Sequence, residues 1–402
     1  MYNQSMDNIF TTTITDIGSN GDGIGRINGL VVFVPGALPG DVCEVGLCED
    51  SGRMARAELL RIVEPSADRV KSACPYAEQC GGCELMGLSY AAQLKWKQNQ
   101  VVQALRRIGG IDEPVVKPII NSDNVLRYRN KAEFAVEPAG DGGRYGYYAR
   151  GSRNFVAIDD CIIQSKEAMD AIRGMHLSKH CVRAVLRTAR SGGVMTILEY
   201  DDGNRTSDRR VLQDVIATDG TDLKVEVSPL SFYQVNPLQC DKLYAQVRKY
   251  AALKGGESVL DLYCGAGTIG LTMADKARRI IGVESVRSAV IDANRNAVIN
   301  NIVNAEFICG KAEDVVRTKL QGVKADVVIV DPPRAGCKPE LLNTVLQIAP
   351  ERLIYVSCNP STLARDLKLL LADGAYRFAE ATPVDMFPNC LHTEVIALLL
   401  RV

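Results

Sequence analysis

The chain has 402 residues, 47% hydrophobic and 24% charged, with a formal net charge of -1. That length exceeds what one ordinary core supports, so two or three domains are expected. The near-neutral charge excludes a globally basic nucleic-acid binder and leaves only local basic faces, and no apolar run is long enough for a membrane helix.

The opening MYNQSMDNIF shows no basic and apolar leader pattern. A cytoplasmic protein is therefore expected, with 13 cysteines that are reduced, metal-bound or catalytic rather than disulfide-paired. His176, His180 and His392 are the three histidines, and no HExxH pattern occurs, which argues against a histidine-based zinc enzyme. Short β-like runs follow at Thr11–Thr15, Leu30–Val34, Asp41–Val45 and Ala57–Val63. Glycine- and proline-rich turns separate them at 18–25 and 35–40, the pattern of a small β-barrel over about 1–66. Residues 7–65 hold nine Asp/Glu, four Arg and no Lys, so any RNA contact there falls to Arg53, Arg56 and Arg61.

A central α+β segment, about 67–230, opens with Cys74, Cys80 and Cys83 in C-x5-C-x2-C spacing. A sulfur-only set needs a fourth thiolate, for which Cys161 is the best candidate, and suits either an iron–sulfur cluster or zinc. Ser89–Ile108 reads as an amphipathic helix stopped by Gly109-Gly110, with Lys95, Lys97, Arg106 and Arg107 on a solvated face. From Arg127 to Arg153 six Lys/Arg interleave with aromatics, including Arg129, Tyr145, Tyr147 and Tyr148. Guanidinium groups hold phosphates and tyrosines stack on unpaired bases, so this stretch points to single-stranded RNA. The same alternation fits two antiparallel strands turning at Gly142-Gly143. Gly193–Leu198 reads as a further strand.

From Ser231-Phe-Tyr-Gln-Val-Asn236 onward, strand and helix signals alternate as in a doubly wound parallel sheet, a Rossmann-like domain over 231–402. Ser258–Tyr263 is its first strand and enters Cys264-Gly-Ala-Gly-Thr-Ile-Gly270, where glycines let a ligand approach the backbone at a helix start. Arg279–Glu284 ends in a carboxylate suited to two ribose hydroxyls. Gly265, Gly267 and Gly270 also satisfy the dinucleotide fingerprint, but Asp261 in D-L-Y-C-G-A-G and the later Asp331-Pro-Pro-Arg334 turn resemble the forms methyltransferases use, which implies S-adenosylmethionine rather than NAD. Arg352–Ser357 is an unalternating apolar run, a strand covered on both faces. It delivers Cys358 into Cys358-Asn-Pro360, at the carboxyl end of a sheet strand, where open α/β sheets hold ligands. Cys358 is the candidate nucleophile, its thiolate favoured by a helix starting just beyond Pro360. Glu394, at the entrance to the apolar strand Val395–Leu400, is the candidate base, with His392 as a rival.

Together, CPYAEQCGGC, LRYRNKAEF, SFYQVN, DLYCGAGTIG, DPPRAG, SCNP and LHTEV resemble the RNA uracil-5-methyltransferases across the whole chain, in matching order. GDGIGRINGLVVFVPGALPGDVCEV resembles a TRAM domain, a small barrel attached to RNA-modifying enzymes. The cysteine motif and the barrel make the chain look more like the branch that modifies 23S ribosomal RNA than the transfer-RNA branch, with methylation of a transfer-RNA uridine as the alternative. The resemblance implies S-adenosylmethionine held by Gln234, Tyr263, Glu284 and Asp331. It implies a [4Fe-4S] cluster on Cys74, Cys80, Cys83 and Cys161. It puts the nucleophile on Cys358 and the base on Glu394, with RNA as partner. Two opposed readings are an NAD-dependent oxidoreductase using Cys358 and a non-catalytic RNA-binding iron–sulfur protein.

Overall fold

The computed structural model describes residues 9–402 except 51, 210, 221, 230 and 321. The chain divides into two compact units. One takes the residues up to Lys95 with Tyr147–Val156 and Asn389–Leu391; the other takes Trp96–Gly146, Ala157–Pro388 and His392–Val402. No helix among the described residues is long and apolar enough to cross a membrane.

The first unit is built on β1 (Ile9–Thr13), β2 (Asp16–Ile17), β3 (Gly23–Ile27), β4 (Leu30–Val34), β5 (Val42–Asp50) and β6 (Met54–Glu64), in sheet order β1-β5-β6-β4-β3-β2. Thr12 Oγ1 donates to Arg26 O at 2.9 Å and accepts from Arg26 N at 3.1 Å, joining β1 to β3 and curling the sheet toward closure. Ile14, Val32, Val34, Cys43, Val45, Ala55 and Ala57 fill the interior. The glycine stretch 18–25 is not all turn, because Gly23 and Gly25 lie in β3. A Cβ on Gly23 would stand 2.6 Å from Ala37 O and one on Gly25 2.6 Å from Thr12 Oγ1, so these glycines allow close backbone approach within a strand.

Helix α1 (Tyr90–Arg107) falls within one residue of its expected bounds at each end. Its lysines are not all on a solvated face: Lys97 is fully buried and paired with Asp385. The central stretch contains β7 (Lys131–Ala139), β8 (Gly142–Tyr148), β9 (Phe155–Ala157), α2 (Lys166–Arg173), β10 (Cys181–Thr188), β11 (Val194–Tyr200) and β12 (Arg205–Ser207). Its strands form a sheet of order β12-β11-β10-β7-β8-β9. The β7–β8 turn comes two residues earlier than the glycine pair suggested: Gly142 pairs with Ala139 and Gly143 with Pro138, leaving Gly140-Asp141 as the turn. Gly140 has φ +59°, a conformation glycine adopts without a Cβ penalty. A two-stranded hairpin follows, β13 (Leu212–Ile216) with β14 (Leu223–Val227).

The remaining elements are α3 (Pro237–Ala251), β15 (Ser258–Leu262), α4 (Thr268–Leu271), β16 (Arg279–Glu284), α5 (Arg287–Ile299), β17 (Ala305–Cys309), α6 (Ala312–Thr318), β18 (Val327–Val330), α7 (Pro339–Ile348), β19 (Arg352–Ser357), α8 (Pro360–Leu370), β20 (Tyr376–Val384) and β21 (Glu394–Arg401). They make a seven-stranded sheet of order β17-β16-β15-β18-β19-β21-β20. The first five strands are parallel. The last strand inserts antiparallel between β19 and β20. Alternate strand residues serve opposite faces. Leu260, Val328, Leu353 and Tyr355 pack into one apolar cluster with α1, α7 and α8. Val259, Ile329, Ile354 and Val356 pack into another with α3. Both faces are covered, which is why these strands carry no polar alternation.

Candidate active site

The site forms where the parallel strands end. Leu262 of β15 is level with Val283 of β16 and Val330 of β18, so Tyr263, Glu284 and Asp331 follow at one edge. Ser357 of β19 pairs with Val395 of the antiparallel β21, so Cys358 leaves β19 beside Glu394 as β21 enters. Residues separated by more than 130 positions thereby share one edge, the place where α/β sheets hold ligands.

The turn after β15 is unusual backbone. Tyr263 has φ +64°, Gly265 +54° and Gly267 +77°. A Cβ on Gly267 would lie 2.7 Å from the Phe307 ring. Gly265 N–H donates to Glu284 Oε2 at 3.1 Å and Val286 N–H to Glu284 Oε1 at 2.7 Å, which holds the carboxylate at this turn. Asp261 is fully buried; its Oδ2 accepts from Gly270 N–H at 3.0 Å, while Oδ1 is buried without a partner. Burial, partly offset by that bond and reinforced by Asp331 and Glu284, lifts its carboxyl to about 7. An unsatisfied acceptor beside a glycine cradle fits a polar ligand with hydroxyl or cationic groups. Gln234 is buried ahead of α3, its carbonyl accepting from Asn130 Nδ2 at 3.0 Å. Its loop is fastened to α5 by Ser231 Oγ, which donates to Asp292 at 2.6 Å. Tyr244 of α3 bonds Thr268 Oγ1 at 2.8 Å, linking α3 to the glycine turn.

The part of the edge around Asp331, Cys358 and Glu394 is acidic and largely buried. Burial lifts the Asp331 carboxyl to about 7. Burial, with the neighbouring Asp331, lifts Glu394 to about 8. Cys358 is half-buried, and burial with the charges of Glu394 and Asp331 pushes its thiol up to about 11, against an opposing pull from Arg334. Burial therefore favours the thiol in the resting site. Helix α8 does begin at Pro360 with Asn359 as its N-cap, but two carboxyl groups and a dry setting outweigh it. Glu394 and Asp331 act on Cys358 electrostatically, so the three lie near one another at this edge. His392 is held below the usual imidazole range by burial and by Arg334, Lys97 and Arg129. A neutral imidazole among cations is a weak rival to Glu394 as a base.

Arg334 is a residue whose contribution sequence reasoning missed, although its place in Asp-Pro-Pro-Arg was a signal. Its carbonyl accepts from Asn359 Nδ2 at 3.3 Å and Thr362 Oγ1 at 3.2 Å, binding the 331–337 loop to the start of α8. Asp366 completes the attachment. It is fully buried and accepts from Tyr355 OH at 2.6 Å and Cys337 N–H at 2.8 Å. Gly336, at φ +81°, has no Cβ to strike Asp366 Oδ2, which would be 2.6 Å away.

Cys74, Cys80, Cys83 and Cys161 are all half-buried. Among the described residues no group of three or more His, Cys, Asp or Glu is placed to hold a metal ion. In the Cys80 loop, Cys80 N–H donates to Tyr76 O at 2.7 Å and Gly81 N–H to Tyr148 O at 3.1 Å.

The tRNA (Uracil-5-)-methyltransferase family matches residues 201–402, and the TRAM domain matches residues 9–60. An uncharacterized RNA methyltransferase of Caldanaerobacter subterraneus subsp. tengcongensis is 39% identical, the alignment covering 98% of each chain. Another from Halalkalibacterium halodurans is 37% identical, over 98% of this chain and 97% of that one. The crystal structure of Pyrococcus abyssi tRNA (uracil-54, C5)-methyltransferase, in complex with S-adenosyl-L-homocysteine, is similar with a TM-score of 0.75 and 28% identity. That similarity covers 97% of this chain and 100% of the archaeal one. A parallel sheet with a glycine turn at its strand ends, a TRAM domain in the same chain and these full-length relatives define an RNA methyltransferase. More narrowly, the chain belongs to the tRNA (uracil-5-)-methyltransferase family.

Proposed function

We propose that the protein methylates carbon 5 of a uridine in RNA, with S-adenosylmethionine as donor and a covalent Cys358–uracil intermediate. The observation that carries this reading is the meeting of Cys358, Glu394 and Asp331 at one sheet edge beside the glycine turn. The donor supplies an electrophilic methyl on a sulfonium. In this reading Glu284 and Tyr263 line the ribose and adenine side, while Gln234 and Asp331 close the methionine and methyl side. The fit rests on the positive-φ cradle and the unsatisfied Asp261 oxygen.

Uracil carbon 5 is a poor nucleophile, so a thiolate must first add to carbon 6. Half-buried Cys358 loses its proton to solvent water before the ring closes over it, with Arg334 offsetting the new negative charge. The Sγ–C6 bond forms and carbon 5 becomes an enolate carbon that attacks the donor methyl, whose bond to the sulfonium sulfur breaks to leave S-adenosylhomocysteine. Glu394 as carboxylate then removes the carbon-5 proton, the Sγ–C6 bond breaks, and the electron pair returns to sulfur. Asp331 orients the ring or the donor from the facing strand end.

The three-part division 1–66, 67–230 and 231–402 belongs to the same proposal, as do a cytoplasmic site of action and RNA contact through Arg127–Arg153. So does a 23S ribosomal RNA target, supported by the barrel and the cysteine motif. The [4Fe-4S] cluster on Cys74, Cys80, Cys83 and Cys161 rests on the cysteine spacing together with the resemblance to the ribosomal-RNA branch, and no step of methyl transfer runs through it. Anaerobically purified protein should carry iron and a visible absorbance that are lost in Cys80→Ser; iron-free protein would end that part of the reading.

The activity test is label transfer from methyl-tritiated donor to ribosomal and transfer RNA lacking 5-methyluridine. Label recovered as 5-methyluridine in ribosomal RNA is expected. Label in transfer RNA alone would move the target, and label in another nucleoside would overturn the reading.

A further inference from the structure

The segment between β20 and β21 is held in a way that folding alone does not require. It leaves the sheet at Val384 and returns at Glu394, and those two residues pair with each other across the ladder. Its first four carbonyls each accept a hydrogen bond from a different side chain. Gln239 Nε2 donates to Asp385 O at 3.0 Å, and Asn236 Nδ2 to Met386 O at 3.2 Å. Lys97 Nζ donates to Phe387 O at 2.8 Å, and Tyr128 OH to Pro388 O at 3.1 Å. Lys97 also reaches the Asp385 carboxylate at 2.5 Å, and both side chains are fully buried. The Phe387 ring then meets His392 edge-on, 5.9 Å between centroids, folding the segment back toward Glu394.

Buried carbonyls need partners, but backbone or water usually supplies them. A buried lysine–aspartate pair adds little stability over an apolar pair of the same size. Four side-chain donors from remote parts of the chain, one of them a buried cation, make position the better explanation. Two of the donors, Asn236 and Gln239, lie just past Gln234, so the same bonds tie the donor-side loop to the segment that ends in Glu394.

We infer that the Asp385–Pro388 carbonyls form a clamp whose positioning residues, Lys97, Tyr128, Asn236 and Gln239, hold Glu394 where it removes the carbon-5 proton. This rests on the uracil-5 reading above. The clamp acts on one step only. Sγ–C6 bond formation and methyl transfer precede it; proton removal and Sγ–C6 cleavage depend on it. A loosened clamp leaves Cys358 bonded to an already methylated ring.

The experiment uses the full chain, methyl-tritiated S-adenosylmethionine and unmodified uridine RNA, and measures label in denaturation-resistant protein–RNA adduct against label in released RNA. Tyr128→Phe removes one donor with no change of shape. Lys97→Met combined with Asp385→Asn removes both buried charges together. Each should raise the adduct-to-product ratio, by about tenfold for the double variant, given the sensitivity of catalysis to small misplacements. Donor KM should stay within about twofold. If the double variant does not fold, Tyr128→Phe decides alone. An unchanged ratio in Tyr128→Phe, or a loss of turnover with no adduct, would reduce the clamp to a structural role. Wild-type protein that forms no adduct on 5-fluorouridine RNA would instead sink the uracil-5 reading itself.

Discussion

Replacing Glu394 by glutamine should make the protein more stable and less active, and the size of the first effect follows from the site. The carboxyl is buried, with its value lifted from 4.5 to about 8. Between those values the folded state keeps a proton that the unfolded chain has lost. Stability attributable to this group is therefore intact below about pH 4.5 and falls as pH rises toward 8. At one pKa unit per 1.36 kcal/mol, the cost is about 1 kcal/mol at pH 5 and on the order of 3 kcal/mol at pH 7. Glu394→Gln removes the titration while keeping the shape. Thermal melts followed by circular dichroism should then show the variant nearly matching wild type at pH 5. At pH 7 it should melt higher by roughly 5–10 °C in the transition that contains β21. Turnover should drop by about a hundredfold or more. A variant equal to or less stable than wild type at every pH would refute the buried, strained carboxyl on which its role as base depends.

Other outcomes test neighbouring parts of the site. The rate under limiting RNA should climb between about pH 6.5 and 9, because the base must be ionised and Cys358 must become a thiolate; a flat profile would contradict the raised values of both groups. Asp366→Ala leaves Tyr355 OH and Cys337 N–H without their buried acceptor, and should cost about 2–3 kcal/mol in urea unfolding while slowing adduct formation. Gly267→Ala adds a Cβ 2.7 Å from the Phe307 ring at φ +77°, and should cost more than about 1 kcal/mol and weaken donor binding by calorimetry. Full donor affinity in that variant would show that the turn has room to spare.

The parts of this site that the sequence disclosed are those set by local chemistry. Ser357-Cys358-Asn359-Pro360 is legible because an apolar run meets a turn and a proline within a few residues. Asp261 and the glycine turn are legible for the same reason, strand and helix start being contiguous. What stayed hidden was contact at long range. The placement of Glu394 beside Cys358 depends on β21 slipping antiparallel between β19 and β20, which no local pattern announces. Lys97 read as one more solvated lysine on an amphipathic helix, since its partner Asp385 is 288 residues away. The helix start behind Cys358 is visible in sequence, whereas the two facing carboxyl groups that oppose its ionisation are not. Gly23 and Gly25 read as turn residues, yet glycine also occurs where strands crowd.

The central claim is that Cys358 bonds to the uracil ring. It is tested most directly by mixing the protein, S-adenosylmethionine and 5-fluorouridine-substituted ribosomal RNA, then denaturing. Fluorine at carbon 5 cannot leave as a proton, so Glu394 has nothing to remove and the intermediate stalls. The account predicts a protein–RNA complex that survives denaturation and maps to the peptide bearing Cys358, with none in Cys358→Ala. Absence of that complex on an RNA the protein methylates, or its persistence in Cys358→Ala, would contradict it.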